Sequence, residues 1–284
     1  MNFEVPTALE YFTALVADDA SLPVLEAAVA VAQDEAPGLD AQGVLAQIDA
    51  LAERLRRRIP ADAAPLQRLW LLNTYFFQEL GFAGNVNDYY DRRNSYLPEV
   101  LKTRRGIPIT LALLYIELAT QVGLRAQGVS FPGHFLVKLQ MPRGEVLIEP
   151  FSGQSLSRED LEERLAPWRG QSGLRDDEAP LGLFLQAAPA REVIARLLRN
   201  LKEIHRNAGD WPRLAAVLQR LVILLPQAWE ERRDRALAMA ELGRIDLAAD
   251  DLALYLEECP EAEDAAPLRR QLAAWGRVPR ARPQ

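Results

Sequence analysis

The stretch that decides the fold runs from residue 106 to residue 151: GIPITLALLYIELATQVGLRAQGVSFPGHFLVKLQMPRGEVLIEPF. Its first part is helical. Pro108 suits the first turn of a helix, where its missing N–H costs nothing. Gly123 suits the residue just past the end, where a left-handed conformation carries no Cβ clash. The residues between them are apolar on nearly every side, which predicts a central, buried helix. After Gly123 the period changes. RAQGVSF, HFLVKLQ and EVLIEPF read as three short strands, separated by Pro-Gly and Pro-Arg-Gly turns. The last two form a hairpin through Met141 to Gly144. A buried helix beside a small antiparallel sheet is an α+β arrangement.

Upstream the chain is helical from 8 to 80. Apolar residues recur at helical spacing in Leu9, Phe12, Leu15 and Val16, and again in Leu25, Ala28, Val29 and Ala32. Ser21 and Pro23 mark the start of the second of these helices. Leu39 to Ile59 gives another, with Val44, Ile48, Leu51 and Leu55 on one face. A further helix runs from Pro65 to Leu80, stopped by Gly81. GFAGNVNDYYDRRNS, which begins at Gly81, is polar and aperiodic, so it reads as a long loop. Ordered loops of that length are often functional.

Downstream, SREDLEERL from Ser157 has the pattern of a capped helix start. The chain after Trp168 reads as a linker, with a domain boundary near 175–188. From 190 onward it is helical and repetitive. AGDWPRLAAVLQRLVILLP ends at Pro226 and LGRIDLAADDLALYLEECP at Pro260. Gly209 to Gly243 and Pro226 to Pro260 are both 34 residues apart, the period of a tetratricopeptide repeat. Leu214 matches Ala248, Leu218 matches Leu252, and Leu225 matches Cys259. Cys259, the one cysteine of the chain, therefore falls in an apolar slot and reads as a buried structural thiol. The predicted organisation is a helical N-terminal part with the α+β domain over 1–180, helical repeats over 188–276, and a tail over 277–284.

Composition narrows the function. The 284 residues carry 33 Lys plus Arg against 40 Asp plus Glu, a net charge of -7. That balance argues against a general nucleic-acid binder, which needs excess cations to replace phosphate counterions. One cysteine allows neither an intramolecular disulfide nor a thiolate metal cluster, which fits a reducing compartment. The N-terminal sequence lacks the pattern of a secretory signal, and the apolar runs are too short for a membrane span. A cytoplasmic protein is expected, with no membrane association. Two histidines about seventy residues apart make no recognisable metal-ligand spacing, and no Gly-rich phosphate loop is present. No cofactor is expected.

The residues that can carry chemistry lie between 85 and 153. His134 opens one predicted strand and Glu149 closes its neighbour. A histidine and a carboxylate on adjacent strands are the orienting half of a catalytic triad. The nucleophile of such a triad would sit at the N-terminus of the preceding helix, where the dipole favours an anion. Basic residues flank this region: Arg92 and Arg93 before Asn94, then Lys102, Arg104 and Arg105 before the helix. Arg93, Asn94, Arg104 and Arg105 are candidate ligands for a carboxylate or phosphate. The competing reading is a set of arginines that tie down the long loop through Asp88, Asp91 and Glu99. His205 lies on a repeat helix and reads as packing or surface.

RRGIPITLA, GVSFPGHF and IEPFSG, in that order and spacing, resemble the SirB-type transglutaminase-like family, in which a transglutaminase-like domain precedes tetratricopeptide-like repeats. The resemblance covers roughly residues 40–265 and is strongest over 92–153. It implies a papain/transglutaminase-like core, with the central helix against the small sheet. In active transglutaminase-like enzymes a cysteine opens that helix, and a histidine and an aspartate follow on strands. The cysteine position falls on Pro108, the histidine position on His134, and the aspartate position on Glu149. Thr110, two residues into the helix, is a candidate replacement nucleophile, with a capping or packing role as the alternative. Ser130 is a lesser candidate.

Two functions follow as expectations. One is a non-catalytic binding or scaffold protein with a degenerate cleft, whose repeats take a protein or peptide partner. The other is a hydrolase or transferase acting on amide or ester bonds, in which His134 and Glu149 activate water or Thr110.

Overall fold

A computed structural model describes residues 6–172 and 179–276. Its elements are α1 (Ala8–Leu15), α2 (Val24–Val31), α3 (Ala41–Arg56), α4 (Pro65–Asn73), β1 (Ala83–Gly84), α5 (Leu97–Thr103), β2 (Arg105–Gly106), α6 (Pro108–Gln121), β3 (Arg125–Phe131), β4 (His134–Met141), β5 (Gly144–Glu149), β6 (Gln154–Leu156), α7 (Arg158–Ser172), α8 (Leu181–Phe184), α9 (Ala190–Ala208), α10 (Trp211–Leu224), α11 (Trp229–Glu241), α12 (Ile245–Glu258) and α13 (Ala265–Ala274). The mostly helical α+β class is as expected.

By internal contacts the chain falls into two compact units. One is Asp18–Leu197; the other joins the residues up to Ala17 to those from Leu198 onward. The division differs from a cut near 175–188, because it falls inside α9 and sends α1 to the repeats. Part of that expected boundary, 173–178, and the tail from 277 lie outside the described residues.

In the first unit α6 is the core helix. Leu111, Ala112, Leu114, Tyr115 and Leu118 are all buried. Proline at its first position and Gly123 at φ +81° bound it as the sequence predicts. The sheet runs β3-β4-β5-β6, antiparallel throughout. Its two faces have different cover. Val129, Phe131, Leu136 and Leu147 form one apolar cluster with Leu161 and Leu165 of α7. Phe135, on the other face by strand alternation, lies against Gly128 together with Ile116 of α6.

Three local features depart from the sequence reading. The helix from Pro65 does not run evenly to Leu80, because Thr74–Glu79 winds as a wider π-type turn. The long loop is not structureless: β1 pairs in parallel with β2, and Arg92–Ser95 forms a 3-10 turn. Helix α7 continues through Pro167 to Ser172, past the linker expected after Trp168.

In the second unit α10 and α12 repeat at the predicted 34-residue offset, and Gly209 and Gly243 both take positive φ before them. Phe12 of α1 is fully buried beneath the Arg220 guanidinium, 4.7 Å from the ring centroid. Cys259 is only partly buried, not a core residue. It packs against the cluster of Leu252, Leu256 and Leu268. Burial and the nearby Glu230 and Glu258 carboxylates push its thiol pKa up, which opposes nucleophilic use.

Candidate functional site

His134 opens β4 directly opposite Phe131 at the turn of the first hairpin. Glu149 ends β5. Strand alternation puts both on the face covered by α7, with Leu136 and Leu147. His134 Nδ1 and Glu149 Oε1 are 3.7 Å apart, too long for a hydrogen bond. The carboxylate is engaged elsewhere. Arg164 of α7 donates to Oε1 at 2.6 Å, and the Ser152 hydroxyl donates to Oε2 at 2.7 Å. Burial raises the Glu149 pKa, but those two donors outweigh it, so the carboxyl sits below its ordinary value. His134 is also lowered, by burial first and then by the Arg164 charge, with Glu149 opposing. The imidazole is thus neutral at pH 7.

Thr110 is not placed to replace a cysteine. It is fully buried. Its hydroxyl donates to the Asn94 carbonyl at 2.8 Å and accepts from the Ile107 N–H at 3.2 Å. It thus fastens the long loop to the start of α6, which is the capping reading. Thr110→Val should cost about 0.5–1.5 kcal/mol, the net worth of a hydrogen bond, because the Ile107 N–H still donates to the Asn94 carbonyl at 3.3 Å when the hydroxyl is lost. Chemical denaturation of the full chain checks this, and a loss below 0.5 kcal/mol, about the noise of such a comparison, would contradict it.

The loop cations do not converge on a ligand. Arg93 pairs with Asp91 at 2.6 Å and Arg92 with Glu35 at 3.0 Å. Arg105 donates to the Gly81 carbonyl at 2.7 Å. Arg104 caps α5 at φ 61° and lies over the Phe82 ring. Asn94 is 3% exposed, and its amide donates to the Asp88 and Tyr89 carbonyls. These contacts are those of the loop-fastening alternative. Beneath the loop, Gly84 has no room for a side chain: a Cβ there would stand 2.2 Å from the Phe151 ring.

The arginines the sequence reading missed are Arg164 and Arg196. Arg196, on α9, donates to Ser130 Oγ at 2.7 Å and lies 5.6 Å from the Phe135 centroid. Neither lies near His134 in sequence, and only strand and helix packing brings them to the hairpin. No local signal marked them. His205 is buried, at 1% exposure.

Two cavities stand out. One of about 230 Å³ in the first unit is lined by Leu25, Leu113, Ile116, Gly128, Phe135 and Val193. One of about 530 Å³ in the repeat unit is lined by Arg206, Trp211, Leu237, Glu241, Asp264 and Gln271 among others. Neither is lined by His134 or Glu149. Among the described residues no group of three or more His, Cys, Asp or Glu is placed to hold a metal ion, and no helix is long and apolar enough to cross a membrane.

A family model described as the transglutaminase-like superfamily matches residues 42–199, and one for the tetratricopeptide repeat matches 201–273. The UPF0162 protein of Xylella fastidiosa (strain 9a5c) is 39% identical over 256 residues, 90% of either chain. The UPF0162 protein PA3419 of Pseudomonas aeruginosa is 29% identical over 241 residues, 84% of this chain and 80% of its own. UPF0162 protein YchA of Escherichia coli (strain K12) is 29% identical over 242 residues, 83% and 85% respectively. No solved structure matches.

Proposed function

The chain belongs to the UPF0162 family and to the transglutaminase-like superfamily, and from that premise we propose that it is a non-catalytic binding protein whose repeats take a protein or peptide partner. One observation supports this most. The hydroxyls of Thr110, Ser152 and Ser130 each bond a group other than His134: the Asn94 carbonyl, Glu149 and Arg196 respectively. Pro108, at the position where the resemblance places a cysteine, has no nucleophilic atom. Helix α6 covers the sheet face opposite the one that carries His134 and Glu149. Helical repeats generally serve protein–protein contacts, and the cavity of the repeat unit mixes apolar and charged walls suited to a peptide. The long loop adds apolar surface, with Val86 76% and Tyr90 74% exposed. A single cysteine fits the reducing cytoplasm as its compartment.

The test is turnover. Purified full chain should hydrolyse or transfer no amide or ester substrate above background, and His134→Ala should change nothing. Turnover that disappears in His134→Ala would overturn the proposal. It would favour the second reading, water activation by His134, which rests on the neutral imidazole and its 3.7 Å approach to Glu149.

A further inference from the structure

We infer that Arg196, with Ser130 and Phe135 beside it, forms a binding site for an oxyanion, a carboxylate or phosphate group on the ligand. The inference rests on the binding-protein reading and gives the chemistry of what is bound on the sheet face that α6 covers.

The site carries an excess of donors. Among the described residues no carboxylate pairs with Arg196. Its Nη1 donates to Ser130 Oγ at 2.7 Å and more weakly to the Phe131 carbonyl at 3.4 Å. Its Nε and Nη2 make no hydrogen bond to the described residues, so one edge of the guanidinium fork is open. Ser130 Oγ is already the acceptor in its bond, which leaves the hydroxyl hydrogen to point outward. Tyr89 lies close enough for the Arg196 charge to act on its phenol, yet burial and Tyr90 together hold the pKa of that phenol up. It is a proton donor at neutral pH. Arg196 and Ser130 thus offer hydrogens, and neither Ser130 nor the Tyr89 phenol offers a charge to balance the cation.

Burial makes that imbalance costly. It pulls the Arg196 pKa down from its ordinary value, with only Tyr89 in opposition. A half-buried cation without a counter-charge is unfavourable until an anion arrives. The guanidinium lies over the Phe135 ring, 5.6 Å from its centroid, and its open edge can take two oxygens of one group side by side. Ser130 is exposed and Tyr89 is 40% exposed, so the group is open to solvent. Arg104, over the Phe82 ring, and Arg105, on the Gly81 carbonyl, also lack a carboxylate, but three arginines of the region differ. Arg164, Arg92 and Arg93 are each paired one to one with a carboxylate.

The experiment uses the full chain, labelled with nitrogen-15, and inorganic phosphate or acetate as probe at constant ionic strength. The Nε–H signal of Arg196 is identified by its loss in Arg196→Lys. It should shift saturably with at least one probe, together with the amides of Tyr89 and Ser130. Saturation by phosphate alone assigns a phosphate source; saturation by acetate assigns a carboxylate. Arg196→Lys keeps the charge but loses the fork, so affinity read at Ser130 should fall about tenfold. Arg196→Gln should abolish binding, and Arg57→Gln, at an exposed arginine that follows α3 and pairs with Glu53, should leave it unchanged. No saturable shift with either probe would overturn the inference, as would equal affinity in Arg196→Gln. If Arg196→Gln does not fold, the wild-type titration and the lysine variant decide. Turnover is measured separately. Anion binding without turnover supports both proposals, binding with His134-dependent turnover removes the non-catalytic reading alone, and absence of both removes the anion site alone.

Discussion

Lys202→Met is expected to destabilise the repeat unit by about 3–5 kcal/mol, the cost of leaving a buried charge without its partner. Lys202 is 7% exposed on α9, and its ammonium lies 2.5 Å from Glu231 Oε2 and 2.6 Å from Asp234 Oδ2. Those carboxylates are three residues apart on α11 and so share a face. Both are buried, at 2% and 8% exposure. Methionine keeps the volume of the lysine stem and removes only the charge. Glu231 would retain just Arg199, whose side chain is 42% exposed. Asp234 would retain Arg206 and Arg233. The pH dependence has a definite sign. Burial raises the Asp234 pKa, but Lys202 and Arg233 outweigh it and hold the carboxyl below its ordinary value. A depressed carboxyl contributes stability that is full above the unfolded pKa of about 3.9 and is lost as pH falls through the folded value. Denaturant titration with hydrogen exchange on peptides of α10 to α12 measures the effect. A loss under about 1 kcal/mol would mean that the charges rehydrate on their own.

Phe76→Ala is expected to cost the first unit about 3–5 kcal/mol through lost burial and a cavity that cannot collapse. Phe76 is fully buried on the π-type turn. It stacks on Phe82 at 4.5 Å and meets Phe77 and Tyr115 edge-on at 5.0 and 5.3 Å. The wide turn aims that ring between α6 and the approach to β1. Tyr115 is fixed in its turn by a 2.5 Å bond to Asn73. Hydrogen exchange in α6 should rise with the fall in denaturation midpoint. An unchanged midpoint would place the cluster outside the cooperative core.

The main elements were readable because their signals are local. Pro108 and Gly123 bound α6, the change to a period of two marks β3 to β5, and the 34-residue offset marks the repeats. What escaped depends on distant packing. Arg220 covers Phe12 although the two are far apart in sequence, so α1 reads as part of the wrong unit. The two-residue ladder of β1 and β2 is too short for any periodicity. Nothing near Thr74 announces a π-type turn. At the candidate site, the fold brings His134 and Glu149 within 3.7 Å of each other, and it engages Arg92, Arg93 and Arg105 with Glu35, Asp91 and the Gly81 carbonyl. Arg164 and Arg196 sit on helices whose charged faces resemble any solvated face.

The alternation of β4 bears on how reversible this site is. On the reading proposed above, a thiol restored at position 108 would head a helix behind the sheet, while His134 and Glu149 look the other way. Turning the histidine round requires sliding β4 by one residue. That slide would carry Phe135, Val137 and Leu139 out of one core and Leu136 out of the other. Catalysis by a cysteine is therefore not one substitution away. The hydrophobic code of a single strand stands in the way and acts as a ratchet against the return of such a triad.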